Sequence, residues 1–272
     1  NITSTNGGTG NTGSSTLSVF DASPTKSIVN TSEPSTVLFG TERVTIGEMI
    51  RYHLVTRIPQ GSFTNVQLLD GLPTGLQFLN DNTATVAFVC NSGAGCMTSS
   101  ILAGAGLVVT GSSSAVSPTF VVPGAAVSGG PFASGTDVTF SVGNITNSDI
   151  DADSEYIVIE FNALVLNVNS SATINQGTNN VDGSNIVNNR PNDMSLLVSG
   201  TQVGATSANV TVAIAEPAIT AITKTILPVS ASYLPGDSVT YTLAFGNVSA
   251  GNTNAATAFG IVLTDTFHPN LA

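Results

Sequence analysis

Ile46-Gly47-Glu48-Met49-Ile50-Arg51-Tyr52-His53-Leu54 opens on a glycine turn and continues as alternating apolar and polar side chains. A period of two behind a turn residue is the mark of a half-buried β-strand. The same pattern returns at Pro235-Gly236-Asp237-Ser238-Val239-Thr240-Tyr241-Thr242-Leu243. Upstream, Thr25-Lys26-Ser27-Ile28 matches Thr223-Lys224-Thr225-Ile226; downstream, Val66-Gln67-Leu68-Leu69-Asp70-Gly71-Leu72 matches Ile261-Val262-Leu263-Thr264-Asp265-Thr266-Phe267. The offsets are 198 residues at the lysines, 189 at the glycines and 195 at the aspartates, so the length differences lie in loops. Three blocks in one order make an internal repeat.

Outward from these blocks, helix periodicity is nearly absent. Strands are expected at Met49–Thr56, Asn65–Leu69, Thr85–Cys90, Leu107–Thr110, Thr119–Val122, Asp137–Val142, Tyr156–Leu166, Leu196–Val198 and Asn209–Ala215. Many short strands between Gly, Pro, Asn and Asp turns predict an all-β fold of immunoglobulin-like β-sandwich repeats. The reading gives a complete, elaborated domain over 16–215 and the opening strands of a second over 216–272, behind a flexible leader or donor segment, 1–15. A partial sandwich leaves strand edges and an apolar face uncovered. The expectation is that the native polypeptide continues or that another chain completes the fold. Leu17, Val19 and Phe20 alternate as a strand donated to a neighbour would.

Composition narrows the function. Of 272 residues only 8% are charged, against about 25% in an ordinary domain, and 41% are hydrophobic. The net charge of −11 excludes the basic footprint of a nucleic-acid binder and of a polybasic membrane-surface protein. No stretch approaches the roughly 20 apolar residues of a membrane span. Cys90-Asn-Ser-Gly-Ala-Gly-Cys96 suits a disulfide closing a small loop in an oxidising place, with two free thiols or half a metal site as the alternatives. Only two lysines occur, Lys26 and Lys224, both at the same repeat position.

At these blocks the chain resembles bacterial surface repeats that overlap the isopeptide-forming fimbrial domains of adhesins and pilus shafts. Their pattern is a lysine-bearing first strand, then P-G-D-x-V-T-Y-T, then V-x-x-T-D-T-L-P-x-G-L. Pro235–Thr242, Val262–Phe267 and Leu69-Asp70-Gly71-Leu72-Pro73-Thr74-Gly75-Leu76 carry it, over about 60 residues of each unit. Asn82–Val127 matches nothing in it. The resemblance implies an extracellular, bacterial cell-surface β-sandwich protein: stalk, fibre or surface layer. It also implies an internal cross-link made from a lysine, an asparagine and an acid. Lys26 fits the nucleophile, Asp70 the acid with Glu160 as alternative, and Asn175 the asparagine, with Asn188 and Asn189 as fallbacks. In the second unit the counterparts are Lys224 and Asp265. The bland reading pairs Lys26 with Asp70 as an ordinary ion pair or points it to water.

Asp149, Asp151, Asp153 and Glu155 stand at every other residue. Such a run is costly to hold together unless solvated or neutralised. It reads either as a calcium site, which takes 6–8 oxygens, or as a solvated acidic turn. No enzyme is expected: there is no G-x-S-x-G elbow or H-E-x-x-H, and His53 and His268 are the only histidines. Six N-x-[ST] sequons, at Asn1, Asn30, Asn144, Asn169, Asn209 and Asn247, read mostly as the product of an Asn/Ser/Thr-rich composition, with a glycan coat as the alternative. Low charge fits a surface buried against neighbours. The expected function is therefore a structural block of an extracellular filament, pilus-like fibre or surface layer, with copies of itself as partners. The alternative is an adhesin module binding through the Asn82–Val127 insertion.

Overall fold

The computed structural model describes residues 22–33, 37–38, 41–91, 96–168, 189–215, 219, 221–230, 232–247, 258 and 260–267. Strands β1 (Thr25–Thr31), β2 (Val37–Leu38), β3 (Thr41–Thr45), β4 (Met49–Ile58), β5 (Gly61–Asp70) and β6 (Leu76–Phe78) come first. The insertion supplies β7 (Thr85–Val89), β8 (Thr98–Ser99), β9 (Val108–Val109), β10 (Phe120–Val121) and the start of β11 (Val127–Ser128). Then follow β12 (Val138–Asn147), β13 (Glu155–Val165), β14 (Asn189–Asn192), β15 (Met194–Val198), β16 (Thr201–Val203) and β17 (Val210–Ala215). The repeat closes the series with β18 (Thr223–Leu227) and β19 (Thr240–Ala244).

Strands β1 to β17 form a β-sandwich, and β18 and β19 pair as a separate two-stranded sheet. One sheet runs β1-β4-β13-β7-β10, with β6 beside β13 and β9 beside β7. Its mate runs β11-β12-β5-β15-β16, with β8 against β12. A smaller sheet, β14-β17-β3-β2, joins β17 to β3 in parallel. The inner faces meet on an aromatic cluster. Phe140 from one sheet and Phe161 from the other have ring centroids 5.4 Å apart, with Phe78 and Tyr52 against them. Each such ring, fully buried, contributes about 1.5–3 kcal/mol of transfer free energy.

The turn that opens each repeat is built alike. Gly47 has φ +87° and Gly236 φ +95°, a region open to glycine at little cost. Glu48 N–H donates to the Thr45 carbonyl at 3.1 Å, and Asp237 N–H to the Leu234 carbonyl at 3.0 Å. In return the Glu48 and Asp237 carboxylates accept from the N–H of Thr45 and Leu234, each at 2.7 Å. The two sequences, one with Ile46 and the other with Pro235 at the turn's second residue, therefore launch β4 and β19 in the same way.

The insertion is built into the sheets instead of standing off them. Its strands extend both sheets, Phe88 is fully buried in the core, and Phe120 packs against that core. Val109 and Val116 cover Val55, Val89 and Val158 on the outer face of the first sheet. Cys90 and Cys96 are joined as a disulfide. No helix among the described residues is long and apolar enough to cross a membrane.

Candidate functional site

Three sheets meet at one buried point. The chain leaves β14 at Asn192 and enters β15 at Met194, passing from the small sheet into the second large one at Asp193. Met194 pairs with Asp70, the last residue of β5. Lys26 comes from β1, opposite Leu54 of β4. Alternation along these strands turns Lys26, Tyr52 and Phe161 to the inner face. The Lys26 and Asp70 side chains have no solvent exposure, and Asn192 has none either.

Lys26 Nζ donates a short hydrogen bond to Asp70 Oδ2 and lies 3.5 Å from the Asp193 carbonyl oxygen. It sits 4.4 Å from the Tyr52 ring centroid and 5.7 Å from that of Phe161. Burial in this aromatic cage lowers the Lys26 pKa from 10.5 to about 8, against the upward pull of Asp70. Burial likewise raises Asp70 above the ordinary carboxylate value, and Lys26 only partly offsets it. Both shifts favour the neutral pair of amine and carboxylic acid.

Asn192 faces the Asp70 carboxyl and the Tyr52 hydroxyl. Even so, its Nδ2 and Oδ1 complete no hydrogen bond, and neither do Asp70 Oδ1 and Tyr52 Oη. An unsatisfied buried polar group costs about 1–3 kcal/mol. The four atoms are one another's nearest polar neighbours, and a reaction that consumes the carboxamide would remove part of this buried polarity. The sequence reading missed Asn192. Pro191 just before it argues against a strand, although β14 is an edge strand, where proline is tolerated.

Glu160 is not brought to this site. It points to the opposite face of β13, where it accepts hydrogen bonds from Arg51 Nε at 2.7 Å and His53 Nδ1 at 2.9 Å. Burial alone would raise its pKa. The His53 and Arg51 hydrogen bonds and charges reverse that and hold it below the usual glutamate value. Asp70 is therefore the acid hydrogen-bonded to Lys26, with the Asp193 charge close enough to act on both. Asn175 and Asn188 lie outside the described residues, as do the donor candidates Leu17, Val19 and Phe20 and the second histidine, His268; the Asn189 side chain is outside them too.

The second repeat builds the same frame without the enclosure. Ile226 pairs with Tyr241 and Lys224 with Leu243, as Ile28 pairs with Tyr52 and Lys26 with Leu54. Lys224 Nζ lies 2.7 and 2.9 Å from the two Asp265 carboxylate oxygens and 4.3 Å from the Tyr241 ring centroid. Its side chain is 36% exposed, and that of Asp265 is 22% exposed. At the β12–β13 connection, Asp149, Asp151 and Glu155 cluster, and Asp153 N–H donates to Asp151 Oδ1 at 3.0 Å.

No family model matches the chain, and no curated protein does. Among solved structures it is similar to the RrgB pilus protein of Streptococcus pneumoniae, at 14% identity and a TM-score of 0.34 over 67% of this chain. It is similar to the major pilin subunit BcpA of Bacillus cereus at 12%, with a TM-score of 0.35 over 72%. The collagen-binding domain of a Staphylococcus aureus adhesin gives 10% and 0.31, over 72% of this chain and 99% of that domain. The chain spans only 23% of the RrgB chain and 41% of the BcpA chain.

Proposed function

We propose that this chain is a covalently tied structural module of an extracellular filament or surface layer. The observation that carries the reading is the burial of Lys26, Asp70 and Asn192 together, with Asn192 facing the Asp70 carboxyl. The neutral Lys26 amine attacks Asn192 Cγ while protonated Asp70 hydrogen-bonds and polarises Oδ1. Asp70 then takes a proton from the attacking nitrogen and returns one to Nδ2. The Cγ–Nδ2 bond breaks, ammonia leaves, and a Lys26 Nζ–Asn192 Cγ amide remains. Nothing is oxidised or reduced, and Asp70 ends protonated as it began.

Such a bond ties β1 of the first sheet to β14 of the third, across the core. That placement suits a module that must resist pulling, and a surface of 8% charge suits burial against copies of itself. Intact mass of the reduced chain tests the bond. The expected deficit is one ammonia, abolished by Asn192→Ala and by Asp70→Ala; a full-mass wild-type chain overturns it. Electron microscopy of the native material tests the assembly. Fibres or a lattice are expected, and monodisperse single particles would contradict the reading.

A further inference from the structure

We propose that the loop joining β12 to β13 is a calcium site formed by Asp149, Asp151 and Glu155. One carboxylate oxygen from each lies within 4.8 Å of the others. Clustering alone would describe a solvated acidic turn. The two outer members, however, are out of water: Asp149 is 9% exposed and Glu155 5%. Each has one satisfied oxygen and one orphan. Asp149 Oδ1 accepts from Asp151 N–H at 3.3 Å, while Oδ2 is buried with no partner. Glu155 Oε2 accepts from Asn147 Nδ2 at 2.9 Å, while Oε1 is buried with no partner. Two buried anionic oxygens left unpaired in one loop are costly unless a cation takes them.

The surroundings hold these groups in place from behind. Asn147 Oδ1 accepts from Asp149 N–H at 3.0 Å, and its amide donates to the Ile58 carbonyl at 2.8 Å as well as to Glu155. Ile58 ends β4, and the chain crosses there to β5 of the second sheet, just as it crosses back between β12 and β13. An ion here would therefore pin both crossovers at one end of the sandwich. Hard carboxylate oxygens, with no sulfur or imidazole in the group, select calcium or magnesium. An irregular connection over 148–154 with a long Glu arm suits calcium's looser geometry over magnesium's strict octahedron.

The test is calorimetric titration of the chelator-treated full chain with calcium chloride and, separately, magnesium chloride. One calcium per chain is expected, at roughly the 10⁻⁴–10⁻³ M affinity of extracellular modules, with a rise in Tm. Asp149→Asn with Glu155→Gln should weaken binding at least about tenfold, whereas the control Asp81→Asn should not. If the double variant fails to fold, Asp149→Asn alone gives the same comparison. No uptake up to about 10 mM, equal loss in the Asp81→Asn control, or magnesium binding as tightly as calcium would overturn the assignment.

Discussion

Lys26 and Lys224 stand at the same place in two copies of one frame. A glycine turn launches the second strand, the lysine sits on the first, and a tyrosine lies diagonally across from it under the amine. Both lysines reach an aspartate. Around Lys26 the other sheets close, and neither it nor Asp70 meets solvent; around Lys224 the side chain stays 36% exposed. A repeated motif thus yields a partly exposed ion pair in one setting and, in the other, a buried pair in which burial disfavours both charged forms. Each amine also lies near a second ring, Phe161 at 5.7 Å and Phe267 at 5.3 Å, so the difference is the enclosure, to which Asn192 at the end of β14 belongs.

The largest effect expected from breaking this contrast comes from Asn192→Ala. Losing a tie between positions 26 and 192 should cost on the order of 5 kcal/mol, by analogy with a disulfide closing a long loop. Denaturant melts of the two proteins would show it; equal midpoints would mean that no tie existed. The same variant restores a titrating lysine. Its pKa is about 8 when folded and 10.5 when unfolded, so between those values the unfolded chain binds more protons. Stability of Asn192→Ala should therefore rise from pH 8 to 10.5, by on the order of 2–3 kcal/mol. Lys26→Met added to it should remove that slope. A slope that survives the addition would assign it to other groups.

A smaller change tests the outer face. Arg51 and His53 have Thr240 and Thr242 as repeat counterparts, so the Glu160 cluster belongs to the first unit alone. With its folded pKa held below 4.5, Glu160 contributes stability that is present above pH 4.5 and lost as pH falls through the folded value. Glu160→Gln should cost about 1–3 kcal/mol at pH 7 and flatten acid unfolding. An unchanged acid limb would remove Glu160 from that role. The smallest effect is expected at the exposed pair: Lys224→Met should change stability by about 0–1 kcal/mol, and a loss as large as that of Asn192→Ala would erase the contrast.

The strand framework was legible because alternation is a local signal. All nine expected strands occur, and Met49–Ile58 and Glu155–Val165 match within two residues. The site was half legible. Lys26 and Asp70 lie in repeated blocks, so comparing the chain with itself marked the positions, and the resemblance to surface repeats implied their roles. Asn192 follows a proline, and the role proposed for it arises only where three sheets converge, which no local pattern encodes. Glu160 misled for a related reason: a carboxylate in an apolar run must be compensated, but sequence does not say on which face. In the insertion, the two-residue strand at Thr98–Ser99 is too short for alternation to register.

Because the chain has only two lysines, one labelling experiment compares them directly. The full chain is reduced, unfolded in urea, treated with an amine-acetylating reagent, digested and mapped by tandem mass spectrometry. The account predicts acetyl on Lys224, none on Lys26, and a Lys26 peptide joined to the Asn192 peptide with loss of one ammonia. Acetyl on both lysines, with Asn192 recovered in an unlinked peptide, would contradict it.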